Sequence, residues 1–204
     1  MKQPRVGILA TGDEVIDPHL NPQPGQVRDV NTYSISGIVE RAGGVAQSGG
    51  IIRDDFAALY EAARALIDRS DMLVLSAGSS VSVRDMTSNV IEKLQRPGVL
   101  VHGVSIKPGK PTIIAMCDGK PVFGLPGNPV SVMVTFEVFA RPAIYQMMGR
   151  RDLLPPMIKA TLGTTIPNRD GRRIFVRVTM TRRRGRIHAN PTGDQGSGIL
   201  TSVS

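Results

Sequence analysis

A chain of 204 residues with 41% apolar and 4% aromatic side chains, and no tryptophan, can bury one good core of Val, Ile, Leu, Met and Ala plus a smaller module. No apolar run approaches the roughly 20 residues of a membrane span, Lys2 and Arg5 are followed by no signal-peptide apolar region, and the single Cys117 allows no internal disulfide, so a cytoplasmic protein is expected. The net charge of +8 is crowded into the C-terminal part, but Phe175 is the only aromatic there and neither a helix-turn-helix nor a zinc signature accompanies it, which favours small anionic ligands over nucleic acid.

In chain order, VGILA at residues 6–10 predicts a buried strand that runs into Thr11-Gly12-Asp13-Glu14. The following segment carries Pro18, Pro22, Pro24 and Gly25 and predicts a loop. Asn31 then precedes a helical pattern of Ile35, Ile38 and Val39 stopped by Gly43-Gly44. VAQSGGII reads as a short strand. Asp54 and Asp55 are cap candidates for a helix with Phe56, Leu59, Tyr60, Ala63, Leu66 and Ile67 on one face, and MLVLS at 72–76 is the clearest buried strand. Such alternation predicts a mostly parallel sheet with helices on both faces and ligands beyond the carboxyl ends of the strands. The turns TGDE, AGSSVSVRDMT and LPGNPVS are expected to converge there on one crevice. Residues 129–148 are apolar nearly all round and predict a buried or interface helix, bent or restarted at Pro142. Arg150-Arg151-Asp152 and Pro155-Pro156 mark a boundary between a domain over 1–150 and a second over 151–204. In the latter, MIKATLG and RIFVRVTMT alternate and predict a small β module.

The turns carry the chemistry. AGSSVSVRDMT offers Gly78 and the hydroxyls of Ser79, Ser80 and Ser82, then Asp85 and Thr87 at a helix start. Backbone N–H groups and hydroxyls so placed hold an anion; the same residues also serve a plain turn with Asp85 as its N-cap. Asp13 and Glu14 form either a solvated turn or a carboxylate pair that holds Mg²⁺ beside a substrate phosphate. Lys107 and Lys110 flank Pro108-Gly109, and the rigidity of that frame makes fixed point charges for an oxyanion more attractive than solubilising lysines. Pro126-Gly127-Asn128-Pro129 is a turn poor in side chains that a ligand can approach closely. A Walker A loop is excluded, since Pro111 follows Gly109-Lys110 and Val104 stands where that motif needs glycine.

The ordered set TGDE, DVNTY, SAGSSVSVRDMT, IKPGKP and GLPGNPVS resembles the molybdopterin molybdenumtransferase family, called MoeA in bacteria and represented in animals by the E domain of gephyrin. The C-terminal GRRIFVRV and NPTGDQGSGIL resemble its terminal β-barrel domain. The resemblance implies an α/β fold: a three-layer α/β/α MogA-like domain that binds molybdopterin, followed by a small all-β, barrel-like domain that stops before its last strands. It implies insertion of molybdate into adenylated molybdopterin with release of AMP, dependent on Mg²⁺ or Zn²⁺, in a homodimer, with a molybdopterin adenylyltransferase as a further partner. Carried over by motif, Glu14 and Asp85 are metal or acid–base carboxylates, and Lys107 and Lys110 an oxyanion clamp. Thr11, Gly12, Asp13 and Asn31 join the site from the first turn and helix. Gly78, Ser79, Ser80 and Ser82 form a pterin-phosphate loop; Pro108 and Gly109, then Pro126, Gly127, Asn128 and Ser131, wall the site, and Arg172 and Ser197 reach it from the barrel. Ala77 and Val83 stand where the family often has glycine, and Arg84-Asp85-Met86-Thr87 is closer to the adenylating relatives of MogA type. Adenylylation of molybdopterin and non-catalytic molybdopterin binding are the alternative functions. The chain is also expected to begin at the family's third domain, without the two that precede it.

Overall fold

The computed structural model describes residues 3–78, 81–169 and 171–199. Its first strand, β1 (Arg5–Thr11), is followed by the two-residue strands β2 (Val15–Ile16) and β3 (Val27–Arg28), which pair with each other across the proline-rich loop. Then come α1 (Asn31–Arg41), β4 (Val45–Ile52), α2 (Phe56–Arg69), β5 (Met72–Ala77) and α3 (Val81–Leu94). The chain continues through β6 (Pro97–His102), β7 (Ile106–Lys107), β8 (Ile113–Cys117) and β9 (Lys120–Pro126). Six of these strands form one sheet in the order β4-β1-β5-β9-β8-β6, in which β4, β1, β5 and β9 run parallel and β8 runs against both neighbours.

Strand alternation decides the layers, because successive side chains leave opposite faces of a sheet. Val6 and Ile8 of β1, Met72 and Val74 of β5, and Phe123 and Leu125 of β9 pack with Ile35, Ile38 and Val39 of α1. Leu9, Leu73, Leu75 and Val122 point the other way, onto Leu59, Ala63 and Leu66 of α2 and Val90 and Ile91 of α3. Every residue of β5 is buried, as the central position of a sheet covered on both sides requires.

Helix starts differ in detail from expectation. Asp55 caps α2, its carboxylate accepting from the Ala58 N–H at 2.7 Å, whereas Asp54 turns back to the first strand. For α1 the working cap is Asp29, whose Oδ1 accepts from the N–H groups of Asn31 and Thr32 at 3.1 and 3.0 Å. The described part of α3 begins at Val81, so Asp85 lies inside the helix and not at its N-cap position.

The apolar segment after β9 forms α4 (Pro129–Thr135), a π-helical turn over Phe136–Ala140 and α5 (Arg141–Met147). The irregularity precedes Pro142 instead of sitting at it. Proline offers no N–H and crowds the carbonyl four residues back; here the Arg141 N–H reaches five residues back, to the Phe136 carbonyl, widening the helix ahead of the ring. Val132, Phe136, Ala140 and Ile144 are fully buried against the sheet, so the segment serves as a core helix on that face.

The C-terminal module holds β10 (Thr161–Leu162), β11 (Arg173–Ile174), β12 (Val178–Arg183) and β13 (Arg186–Pro191). RIFVRVTMT is not one strand: β11 leaves the module to pair in parallel with β7 of the larger domain, and only β12 joins the three-stranded sheet β10-β13-β12. The described residues of this module do not close a barrel, which needs more strands than these. No described helix is long and apolar enough to cross a membrane.

Candidate functional site

Because β1, β5 and β9 are neighbours and parallel, their carboxyl ends deliver three turns to one edge of the sheet. Two adjoining cavities open there. The larger, about 640 Å³, is lined by Arg84, Lys107, Lys110 and Arg172, and no carboxylate lines it among the described residues. The smaller, about 430 Å³, carries the carboxylates of Glu14 and Asp29 with Thr11, Asn31 and Ser76. Gly78, Gly127 and Asn128 belong to both and form the wall between them.

Glycines allow this wall to be thin. A Cβ on Gly127 would stand 2.6 Å from the Ala77 carbonyl oxygen and 3.1 Å from Gly78 Cα, so the turns after β5 and β9 touch backbone to backbone. Asn31 ties them together: its Nδ2 donates to Ser76 Oγ at 2.9 Å and to the Gly127 carbonyl at 2.7 Å. That leaves Asn31 Oδ1 buried without a partner.

The lysine turn is fixed from both domains. Gly109, at φ +108°, has no room for a Cβ beside Thr135 Cγ2, and its carbonyl accepts from the Thr112 hydroxyl at 2.7 Å. On the other side the Phe175 N–H donates to the Lys107 carbonyl at 2.8 Å, continuing the β7–β11 pairing. The C-terminal module also docks on the turn after β9, where Asn128 Nδ2 donates to Ser197 Oγ at 3.0 Å and the Val130 N–H to the Ser197 carbonyl at 3.0 Å.

The residues singled out in the sequence thus separate into groups. Gly78, Lys107, Pro108, Gly109, Lys110, Pro126, Gly127, Asn128, Ser131, Arg172 and Ser197 surround the cationic cavity. Thr11, Glu14 and Asn31 line the smaller one. Gly12 and Asp13 face a different hollow, and Asp13 exchanges hydrogen bonds with Asp54, its N–H donating to Asp54 Oδ2 and its carboxylate accepting from the Asp54 N–H. Ser82 and Asp85 are exposed on α3 and line neither cavity. An α-helix turns about 100° per residue, so Asp85 leaves α3 in a different direction from Arg84, which lines the larger cavity. Ser79 and Ser80 lie outside the described residues.

Sequence reasoning missed Arg84, Gln195 and Gly196 of the larger cavity and Asp29 of the smaller. For Asp29 the sequence carries a signal, an aspartate two residues ahead of a helical run. Among the described residues no cluster of three or more metal-ligating side chains forms. One oxygen of Asp29 is committed to the helix cap, so Glu14 and the second oxygen of Asp29 are the carboxylate groups of this cavity able to share a Mg²⁺ with ligand phosphates.

Fold and site define an α/β/α domain with a β-rich module closed over a cationic cavity at the carboxyl edge of its sheet. Residues 7–146 match the family described as "Probable molybdopterin binding domain", and residues 159–204 match the MoeA C-terminal region, domain IV. The chain belongs to this molybdopterin-binding domain family. It is 29% identical to a Staphylococcus aureus molybdopterin molybdenumtransferase, covering 100% of this chain and 48% of that protein. It is 33% identical to the molybdenum cofactor synthesis protein cinnamon of Drosophila melanogaster, covering 100% of this chain and 34% of that protein. A crystal structure of a Pyrococcus molybdopterin biosynthesis MoeA protein superposes with a TM-score of 0.79 at 34% identity over 98% of this chain and 47% of that one. The likeness to the Thermus molybdopterin biosynthesis enzyme MoaB, TM-score 0.56 at 18% identity over 72% of this chain and 98% of that one, concerns the fold of the α/β part. The chain spans about half the length of the staphylococcal relative, or less for cinnamon.

Proposed function

We propose that this chain binds adenylated molybdopterin and molybdate and carries the machinery for inserting the metal with release of AMP. The observation that supports this reading best is the cluster of cations in the larger cavity beside a smaller one that carries Glu14 and Asp29 together with Arg28. A tetrahedral dianion such as molybdate is matched by Lys107, Lys110, Arg84 and Arg172 in a chamber whose described lining has no carboxylate. The adjoining chamber places Glu14 where a Mg²⁺ would be shared with the phosphates of the adenylated pterin. A metal ion so held would neutralise charge developing on the phosphate oxygens as AMP leaves. Lys107 and Lys110 would orient the oxyanion, and the glycine wall would let the two ligands approach each other closely.

In this reading Asp85, exposed on α3, is not a metal ligand. The homodimer and the adenylyltransferase partner belong to the same proposal; sedimentation of the chain with and without that enzyme tests them. The central test is AMP release from adenylated molybdopterin with Mg²⁺, with and without molybdate. Molybdate-dependent release by the wild type, lost in Lys110→Ala, is the expected result. Binding of the pterin without release would reduce the chain to a binding module, and consumption of ATP with free molybdopterin would replace the reading by adenylylation.

A further inference from the structure

Arg177 is half-buried, and no acid pairs with its guanidinium among the described residues. Its Nη2 donates to the backbone carbonyls of Asp194 at 3.1 Å and Gly196 at 3.2 Å, while Nε and Nη1 are buried with no partner. The Arg177 main-chain N–H donates to Gln195 Oε1 at 2.9 Å, and Gln195 Nε2 donates back to the Arg177 carbonyl at 3.3 Å. The nearby Asp194 carboxylate is occupied with the Gly196 N–H at 2.8 Å. Two buried guanidinium nitrogens without partners, on a side chain held by neutral carbonyls, leave its charge for a nearby anion to compensate.

The carbonyls it grips determine where their peptide N–H groups go. In a trans peptide the carbonyl and the following N–H point in opposite directions. Holding the Asp194 and Gly196 carbonyls therefore turns the N–H groups of Gln195 and Ser197 away from the guanidinium. Neither N–H has a hydrogen-bond partner among the described residues. Gln195, Gly196 and Ser197 line the cationic cavity, whereas Arg177 does not, so the guanidinium stands behind the loop.

We infer that the N–H groups of Gln195 and Ser197 form a backbone nest for one oxygen of a tetrahedral oxyanion in the larger cavity, and that Arg177 is the positioning residue that orients it and lends it charge. Backbone N–H groups presented together are a common anion device, and a cation behind their carbonyls strengthens the same dipoles. The inference rests on the proposal that this cavity takes an oxyanion.

The test is a titration of the ¹⁵N-labelled chain with molybdate and, separately, with sulfate, followed by NMR and calorimetry. The amide protons of Gln195 and Ser197 are expected to move downfield, saturating with the calorimetric Kd. Arg177→Met should abolish those shifts and weaken the anion by about tenfold or more. Arg177→Lys keeps the charge but lacks the planar fork that spans two carbonyls, so it should also lose the paired shifts, and it serves if the methionine variant does not fold. Oxyanion binding that leaves both amides unmoved, or wild-type shifts in the folded variants, overturns the nest. Molybdate binding without the amide shifts would end the nest and keep the metal-insertion reading. Sulfate binding with the shifts, and no molybdate binding, would keep the nest and end that reading. No uptake of either anion would end both.

Discussion

At Gly109 a left-handed φ of +108° and the Thr135 methyl leave no space for any side chain. At Gly127 the obstacle is the Ala77 carbonyl, which cannot swing aside without disturbing the end of β5. Gly109→Ala and Gly127→Ala should each cost about 1–3 kcal/mol in urea unfolding and shift the lysine and asparagine turns enough to weaken oxyanion binding. An unchanged midpoint in either variant would show that the turn has slack. Cys117 gives a prediction in pH. Burial is the main cause of its raised pKa, with the charge of Glu92 adding to it and a backbone hydrogen bond from Gln95 opposing it. The folded state therefore favours the neutral thiol. The contribution to stability is full below the unfolded thiol's pKa, about 8.5, and is lost as pH rises through the folded value. Relative to Cys117→Ala, the wild type should lose stability above about pH 8.5, and thiol reagents should label Cys117 only on unfolding.

Among the elements, α2 shows local chemistry and tertiary packing in agreement. Its Asp55 cap follows from an aspartate just before an apolar stripe, and Asp55→Ala should cost about 1 kcal/mol, read from the urea midpoint, while Asp55→Asn should cost less. Asp54, next to it, has an opposite role: its carboxylate accepts from the Thr11 hydroxyl at 3.0 Å and joins the turn after β1 to the loop after β4. Two adjacent aspartates have the same local propensity, and the distant Thr11 and Asp13 distinguish them. The segment 173–181 shows the limit of periodicity. Its alternation is real, but an alternating run can change sheets partway without changing its pattern, and here β7 offers an open edge that captures Arg173 and Ile174.

For the molecule as a whole, the site exists because the C-terminal module docks where the turns of the sheet converge. The Asn128–Ser197 hydrogen bond is one such joint, solvent-exposed but within the cavity lining. A double-mutant cycle of Asn128→Ala and Ser197→Ala should give a coupling of about 0.5–1.5 kcal/mol in unfolding. Strict additivity would mean that the module is held by the β7–β11 pairing and the Val130 backbone bond alone.

The sequence by itself determined the parallel sheet, its two helical layers and the places of the Gly/Pro turns, because periods of 2 and 3.6 residues, caps and breakers are written in neighbouring residues. It also marked Lys107, Lys110 and Gly127 as unusual, since rigid frames around charge are visible locally. Only the tertiary structure decided which residues face a common space. Asp85 and Arg84 differ by one step along α3, yet one is exposed to solvent and the other lines the cavity. Asp13 and Glu14 part in the same way, one to Asp54 and the other to the smaller cavity. The grip of Arg177 on the loop from Asp194 to Gly196 joins residues 17 to 19 positions apart. Such pairings depend on helix phase and on the docking of one module against another, which no local pattern of side chains encodes.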